Sequence, residues 1–181
     1  MNFFNIINNS IKNKKDYLCV WGSGYIGLST ACHFAKLGKN VLALDTNKKY
    51  VDNLRKGKLK NDDFKNWLKI SIKPLIKKKR LIFSHNFKDI KKFNPTIHFV
   101  CIPTEQNGKP YDKILNTVIS LILKNFKYGL IIIESTLTPG TSTKIIQKKL
   151  SQHLDKKNFF YAVAPRRDWF VDNSKNLTTM D

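Results

Sequence analysis

Cysteine is scarce in this sequence, and its three cysteines, Cys19, Cys32 and Cys101, form no disulfide or metal-binding pattern. Their number is odd and no two make a C-x-x-C pair, which argues against a disulfide framework and against a zinc site. Cys19 and Cys101 lie in apolar runs and Cys32 lies in an alanine-rich segment, where a thiol behaves as a small hydrophobic group. We expect three buried free thiols, a reducing compartment and no metal site.

Long apolar runs are also absent. No stretch approaches the roughly 18 residues of a membrane span. Residues 1–10 lack the basic region of a signal peptide, and asparagines interrupt their apolar part. These absences predict a cytoplasmic protein without a membrane partner.

Acidic residues are few, with 13 against 33 basic residues and a formal net charge of +20. This balance is typical of nucleic-acid-binding domains, but the lysine-rich drift of an AT-rich genome also produces it. Arginine is preferred for bidentate contacts with phosphates and bases, yet it occurs only at Arg55, Arg80, Arg166 and Arg167. The lysines are spread along the chain, apart from one dense run at 77–80. We favour compositional drift and keep a nucleic-acid partner as the weaker alternative.

Short apolar strands alternate with helical patterns along most of the chain. Strands are predicted at residues 17–21, 41–44, 81–83, 96–102, 130–133 and 159–163. Helices are predicted at residues 25–37, 47–54, 62–76, 112–126 and 141–150. A helix between successive strands implies right-handed crossovers. The pattern therefore predicts an α/β fold, a Rossmann-like doubly wound parallel sheet of about six strands with helices on both faces.

A G-x-G-x-x-G pattern, Gly22-x-Gly24-x-x-Gly27, stands between the first predicted strand and its helix. Gly22 permits a tight turn, Gly24 lets the backbone approach a pyrophosphate, and Gly27 lets the helix pack on the strand. The start of a helix offers backbone N–H groups to phosphates, so the other residues of the turn belong to the predicted cofactor site as well: Ser23, Tyr25 and Ile26.

Asp45 ends the second predicted strand, about 20 residues beyond Gly24, as the dinucleotide-binding pattern requires. Its carboxylate would accept hydrogen bonds from the adenosine ribose and would repel a 2′-phosphate. The pattern therefore predicts NAD rather than NADP. Lys48 and Lys49 lie close enough to weaken that preference, and Lys49 is counted among the cofactor-binding residues.

Two later strands also end in polar residues, and ligands of open α/β sheets bind at the carboxyl ends of strands. Pro103 and Thr104 follow the fourth strand, and Ser135 and Thr136 follow the fifth. We expect the hydroxyl groups of Thr104, Ser135 and Thr136 to face the same crevice as the glycine turn.

These residues resemble a known family. The motifs are Gly22-x-Gly24-Tyr25-Ile26-Gly27-Leu28, Ile102-Pro103-Thr104, and Glu134-Ser135-Thr136 with Pro139-Gly140-Thr141. Together they are similar to the N-terminal domain of the UDP-glucose/GDP-mannose dehydrogenase family over about residues 17–170, and most like its UDP-N-acetylhexosamine 6-dehydrogenase branch. We expect an N-terminal arm over residues 1–16, an NAD-binding Rossmann domain over 17–165, and a connection toward a missing central helix and C-terminal domain over 166–181.

The resemblance implies a reaction in which the C6 alcohol of a nucleotide sugar becomes a carboxylate and two NAD⁺ are reduced. A cysteine attacks the intermediate aldehyde, and the thioester is hydrolysed. By the same resemblance, Thr104 would line the nicotinamide-side ribose and Thr136 would help to organise the catalytic water.

The sequence departs from the family at three points. It stops before the family's glycine-rich cysteine motif. Arg166 stands where many members have the glutamate that assists thioester hydrolysis; either Asp168 supplies a nearby carboxylate, or Arg166 and Arg167 bind an anionic sugar or phosphate. Tyr50 replaces a basic residue near the adenosine, for which Lys49 would substitute.

The favoured hypothesis is the NAD-binding domain of a nucleotide-sugar 6-dehydrogenase, truncated and inactive alone. Its partners would be a UDP-sugar and either a separate C-terminal fragment or a second copy in a homodimer. A non-catalytic NAD-binding module is the alternative, and a basic nucleic-acid-binding protein comes third.

Overall fold

The computed structural model describes residues 3–13, 16–60, 62–152 and 158–166, and its centre is one parallel sheet. Its strands are β1 (Tyr17–Trp21), β2 (Asn40–Leu44), β3 (Leu81–Ser84), β4 (Ile97–Val100), β7 (Gly129–Ile133) and β8 (Phe159–Val163). They lie in the order β3-β2-β1-β4-β7-β8. The strands β5 (Glu105–Gln106) and β6 (Lys109–Pro110) form a separate hairpin and do not belong to this sheet. When the six strands of the sheet are numbered consecutively, their order is the 3-2-1-4-5-6 order of dinucleotide-binding folds. The predicted six-stranded parallel sheet is confirmed.

Helices cover both faces of the sheet. They are α1 (Phe3–Lys12), α2 (Tyr25–Lys36), α3 (Lys48–Arg55), α4 (Asp62–Leu68), α5 (Ile72–Lys77), α6 (Lys88–Phe93), α7 (Lys113–Asn125), and a π-helical segment (Ser142–Gln147) that continues as α8 (Lys148–Gln152). In the part of the chain that the structure describes, no helix is both long and apolar enough to span a membrane.

The side chains of β1 show how one strand serves two cores. Leu18 and Val20 point to the face covered by α1 to α5, whereas Cys19 and Trp21 point to the face covered by α6 to α8. A parallel strand buried on both faces needs an apolar residue at nearly every position. This explains the near-continuous apolar runs of the sequence.

The single helix predicted over residues 62–76 is wrong. Lys69 adopts a left-handed backbone conformation with a φ of 51° and ends α4, and Ser71 begins α5. Pro74 then lies in the first turn of α5, where its missing N–H group costs nothing. In one continuous helix Pro74 would remove a hydrogen bond and clash with the preceding turn.

Several other boundaries and elements differ from the prediction. The fourth strand ends at Val100 rather than 102, and the helix predicted over 141–150 begins as a π-helical segment. The sequence pattern missed α6 and the hairpin of β5 (Glu105–Gln106) and β6 (Lys109–Pro110). In the N-terminal segment, α1 forms, and its Ile7 packs into the core.

His98 is fully buried in the middle of the sheet on β4. Its Nδ1 accepts a hydrogen bond from Trp21 Nε1 at 3.3 Å. Its Nε2 has no hydrogen-bond partner among the described residues, and the ring packs against Phe126 with centroids 4.8 Å apart. A charged imidazolium would lose its hydration in this fully buried position.

The burial of His98 predicts a pH-dependent stability. Burial lowers the pKa of His98 to about 3, whereas an unfolded histidine titrates near 6.5. Below pH 6.5 the unfolded chain binds a proton that the folded chain does not. The contribution of His98 to the free energy of unfolding therefore falls by about 1.4 kcal/mol for each pH unit between about pH 6 and its folded-state pKa of about 3. Urea unfolding between pH 7 and 5 should show this slope in the wild type and a shallower one in His98→Phe; parallel curves would contradict it.

Candidate functional site

Three segments meet at the carboxyl edge of the sheet because β1 lies between β2 and β4, and β4 pairs with β7. Backbone hydrogen bonds continue past the strand ends and hold these segments together. Gly22 N donates to Leu44 O at 2.9 Å, Cys101 N donates to Trp21 O at 2.8 Å, and Glu134 N donates to Val100 O at 2.9 Å. The glycine turn, residues 101–104 and residues 134–136 thus form one continuous rim.

The three glycines of the turn differ in their surroundings. Gly22 has a φ of +90°, and a β-carbon there would lie 2.3 Å from the carbonyl oxygen of Cys101. A β-carbon on Gly27 would lie 1.9 Å from the carbonyl oxygen of Gly22. A β-carbon on Gly24 would meet nothing within 4 Å. Two glycines therefore permit close packing within the protein, and the third faces open space at the start of α2.

On one side of the turn lies a cleft of about 310 Å³, which we call the Asp45 cleft. Beside Gly24, its walls are Tyr25, Asp45, Asn47, Tyr50, Lys60 and Phe64. The Asp45 carboxylate is held by two backbone groups, since Oδ2 accepts from Ser23 N at 3.0 Å and Oδ1 from Asn47 N at 2.9 Å. A carboxylate offers about four acceptor positions, so Asp45 retains capacity for two hydroxyl groups.

Lys49 and Ser23 have different environments from those of the cleft walls. The side chain of Lys49 is exposed on α3 and is not among the described walls of the Asp45 cleft. Ser23 is fully buried, and its hydroxyl donates to Leu44 O at 3.2 Å. Lys60 and Phe64, which sequence reasoning did not assign to the site, do line the cleft. No motif marks Lys60, and Phe64 falls within the helix predicted over residues 62–76 without belonging to any motif.

On the other side of the turn is a crevice of about 510 Å³, which we call the Thr136 crevice. Its lining includes Ile26, Pro103, Thr104, Ser135 and Thr136. The structure thus brings together residues from the first turn of α2 and from the ends of two strands, which are distant in sequence.

The hydroxyl groups of the Thr136 crevice do not all face outward. Ser135 Oγ donates to Ile102 O at 2.7 Å and accepts from Ile102 N at 2.9 Å. Thr104 Oγ1 donates to Thr136 O at 2.6 Å. Thr136 itself is exposed. Ser135 and Thr104 therefore tie the two strand ends together, and Thr136 presents the accessible hydroxyl.

A buried ion pair closes the floor of this crevice. Arg166 Nη1 lies 3.8 Å from Glu134 Oε1, and both side chains are about nine-tenths buried. The same Nη1 donates to Thr30 Oγ1 at 2.7 Å, and Thr30 Oγ1 donates in turn to Glu134 Oε2. Sequence reasoning left open whether Arg166 binds an anionic ligand; in the structure its guanidinium already has an internal carboxylate. Arg167 and Asp168 lie outside the described residues.

None of the three cysteines is placed as an activated thiolate. Cys19 and Cys32 are fully buried, and burial raises the pKa of both thiols. Cys101 Sγ lies 3.1 Å from Glu134 Oε2, and burial together with the Glu134 carboxylate raises the pKa of that thiol. Cys101 does line the Thr136 crevice, but a thiolate nucleophile needs a lowered pKa, and a neighbouring carboxylate acts in the opposite sense. Among the described residues, no group of three or more His, Cys, Asp or Glu is placed to hold a metal ion.

The residues present fit a dinucleotide. The open space at Gly24 leaves room for a diphosphate at the beginning of α2, whose first-turn N–H groups and dipole favour anions. The N-cap residue of that helix is Gly24, which has no side chain to cap it. A nucleoside half would lie in the Asp45 cleft on one side, and the other half in the Thr136 crevice.

Comparison with known proteins agrees with this geometry. Residues 16–172 match the model of the UDP-glucose/GDP-mannose dehydrogenase family, NAD binding domain. The chain is 33% identical over 157 residues to a UDP-N-acetyl-D-mannosamine dehydrogenase of Methanococcus maripaludis, covering 83% of this chain and 34% of that protein. It is 36% identical over 157 residues to the protein of the same name from Methanocaldococcus jannaschii, with the same shares covered.

A solved structure of a UDP-D-ManNAc dehydrogenase from Pyrococcus horikoshii superposes with a TM-score of 0.70 at 25% identity. The match covers 84% of this chain and 37% of that one. The chain thus spans about a third of the length of the relatives that it matches.

The ion pair on the crevice floor predicts strong coupling between Arg166 and Glu134. Arg166→Met leaves a buried carboxylate without its cation and should destabilise the fold by about 3 kcal/mol, as for other broken buried pairs. Glu134→Gln should also destabilise the fold, because it removes the carboxylate that lies 3.8 Å from the buried guanidinium. The double variant should lose clearly less than the sum of the two in urea unfolding. Strictly additive losses would show that the two side chains do not interact.

Proposed function

The chain belongs to the UDP-glucose/GDP-mannose dehydrogenase family, of which it carries the NAD-binding domain, and we propose that it holds NAD across the glycine turn. The observation that supports this most directly is the position of Gly24. It lies at the start of α2 with open space beyond it, between the Asp45 cleft and the Thr136 crevice. A dinucleotide has two nucleoside halves joined by a diphosphate, so it matches two cavities with an anion site between them.

Each half of the cofactor has proposed contacts. Gly22, Gly24 and Gly27, with the backbone of Ser23, Tyr25 and Ile26, would hold the diphosphate. Asp45 would accept hydrogen bonds from the adenosine ribose. Pro103, Thr104, Ser135 and Thr136 would line the nicotinamide half.

We further propose that the chain serves oxidation of the C6 alcohol of a UDP-N-acetylhexosamine to the carboxylate. The names of the relatives from Methanococcus maripaludis and Methanocaldococcus jannaschii support this substrate class. Bound NAD⁺ supplies a hydride acceptor. In this scheme the exposed hydroxyl of Thr136 positions water near the reacting carbon, and Asp168 is the proposed source of a nearby carboxylate.

The surroundings of the three cysteines bear on whether this chain supplies the nucleophile of the proposed thioester step. Because none is placed as a thiolate, we propose that the thioester step depends on a cysteine that a separate polypeptide fragment supplies; a second copy of this chain in a homodimer would bring only the same three cysteines. The three free thiols fit a reducing, cytoplasmic setting.

A non-catalytic NAD-binding module is the second candidate, and one observation favours it. Arg166 stands where the family's hydrolysis-assisting glutamate is expected, and its guanidinium is paired with Glu134. Mixing the chain with a fragment that carries the family's cysteine motif separates the two candidates. NADH production that depends on a UDP-sugar supports the enzyme; NAD binding without it supports the module.

Substitutions of two glycines provide the primary test of NAD binding. Gly24 has a φ of −66° and open space beyond it, so Gly24→Val should fold normally but block the diphosphate and abolish saturable NAD⁺ binding by calorimetry. Gly27→Val is the matched control, because its side chain would collide with the Gly22 carbonyl and should destabilise the fold itself. If wild-type protein bound neither NAD⁺ nor NADP⁺, or if Gly24→Val bound as tightly as wild type, the proposed site would be wrong.

Asp45 should govern the preference between NAD⁺ and NADP⁺. Asp45→Ala removes a negative charge that repels a 2′-phosphate and also the acceptor for the ribose hydroxyls. We expect NAD⁺ to bind at least tenfold more weakly and the NAD⁺/NADP⁺ preference to shrink. Titration of both cofactors measures this, with Asp52→Ala on the outer part of α3 as the control. An unchanged preference would remove Asp45 from the ribose role.

A further inference from the structure

Ser23, in the middle of the glycine turn, is held at three points. Its N–H donates to Asp45 Oδ2 at 3.0 Å and its hydroxyl donates to Leu44 O at 3.2 Å. Its carbonyl oxygen accepts a hydrogen bond from the hydroxyl of Tyr50 at 2.9 Å. The first two bonds come from β2 and the residue that follows it, whereas the third comes from α3. Tyr50 therefore ties the glycine turn to a helix as well as to the sheet.

The Tyr50 bond fixes more than one carbonyl group. The C=O of Ser23 and the N–H of Gly24 belong to the same planar trans peptide unit and point in opposite directions. Holding the Ser23 oxygen on the side of Tyr50 therefore aims the Gly24 amide to the other side. Glycines flank Ser23 in sequence, and a glycine backbone has more conformations to lose on ordering than that of any other residue.

Hydrogen bonds through Asn47 at the start of α3 also fix the backbone of Tyr50. Asn47 Oδ1 accepts from the backbone N–H of Tyr50 at 3.0 Å and so caps α3. Asn47 N in turn donates to Asp45 Oδ1. Asp45, Asn47, Tyr50 and Ser23 thus form a closed circuit of hydrogen bonds between the Asp45 cleft and the glycine turn.

The phenol of Tyr50 remains a hydrogen-bond donor throughout the neutral range. It is partly buried, and burial together with the neighbouring Asp45 carboxylate raises the pKa of Tyr50 to about 12. The hydroxyl group therefore keeps the proton that it donates to Ser23.

We propose that Tyr50 is a positioning residue that orders the glycine turn for a diphosphate through the Ser23 carbonyl, an inference that rests on the proposed NAD site. Because its hydroxyl is donated to the protein backbone, Tyr50 acts on the diphosphate indirectly. Its ring forms a wall of the Asp45 cleft, and its hydroxyl shapes the neighbouring anion site.

Nucleotide fragments distinguish this role from a direct contact. In Tyr50→Phe the ring remains and only the hydroxyl is lost. ADP-ribose and NAD⁺ contain the diphosphate and should bind about fivefold more weakly, the equivalent of one neutral hydrogen bond of about 1 kcal/mol. Adenosine lacks the diphosphate and should bind equally to both proteins. Tyr128→Phe is the control, because Tyr128 precedes β7 on the other side of the sheet's centre. Equal loss for adenosine and ADP-ribose, or no loss for either, would overturn the proposal.

A second measurement does not depend on any ligand. Amide hydrogen exchange in the free 181-residue chain should become faster at Ser23, whose N–H donates to Asp45 Oδ2, in Tyr50→Phe, with exchange in the core strands unchanged. Unchanged exchange at the Ser23 amide would overturn the proposal even if NAD⁺ affinity fell. If wild-type protein bound no NAD⁺, the proposed function would fail, while exchange would still decide whether Tyr50 orders the turn.

Discussion

The glycine turn lies very close to the first turn of α2 and to the end of β4. Neither Gly22 nor Gly27 has room for a side chain at this contact. A β-carbon on Gly27 would lie 1.9 Å from the Gly22 carbonyl, and one on Gly22 would lie 2.3 Å from the Cys101 carbonyl. Because these backbones touch, α2 begins directly above the carboxyl edge of the sheet. Both cavities, and the proposed diphosphate position between them, derive their positions from this contact.

The two cavities are ordered by different interactions. In the Asp45 cleft, the Asp45 carboxylate and the Tyr50 phenol hold the backbone of the glycine turn at Ser23. In the Thr136 crevice, Ser135 and Thr104 use their hydroxyl groups to join two strand ends and leave Thr136 exposed. Ser135 and Thr104, which a motif alone would assign to the ligand, thus use their hydroxyl groups for hydrogen bonds with the protein backbone.

Arg166 lies inside the protein, next to an acidic side chain. A guanidinium stays protonated and cannot act as a base, and here the Glu134 carboxylate and the Thr30 hydroxyl enclose it. The buried pair neutralises both charges on the crevice floor. Together with Thr30, this pair links α2 to the end of β7 and to the segment that follows β8.

The sequence by itself determined the parallel sheet, the position of the glycine turn, and which segments form the rim at the carboxyl edge of the sheet. Apolar runs, helical spacing and glycines that must lie close to other backbone are local properties of the chain. It did not determine the internal pairing of Arg166 with Glu134 or the bond from Tyr50 to Ser23. These depend on which groups meet across 27 or more positions once the strands are in order. Only the tertiary structure decides that, because a polar side chain binds whichever partner the packing brings within hydrogen-bonding distance.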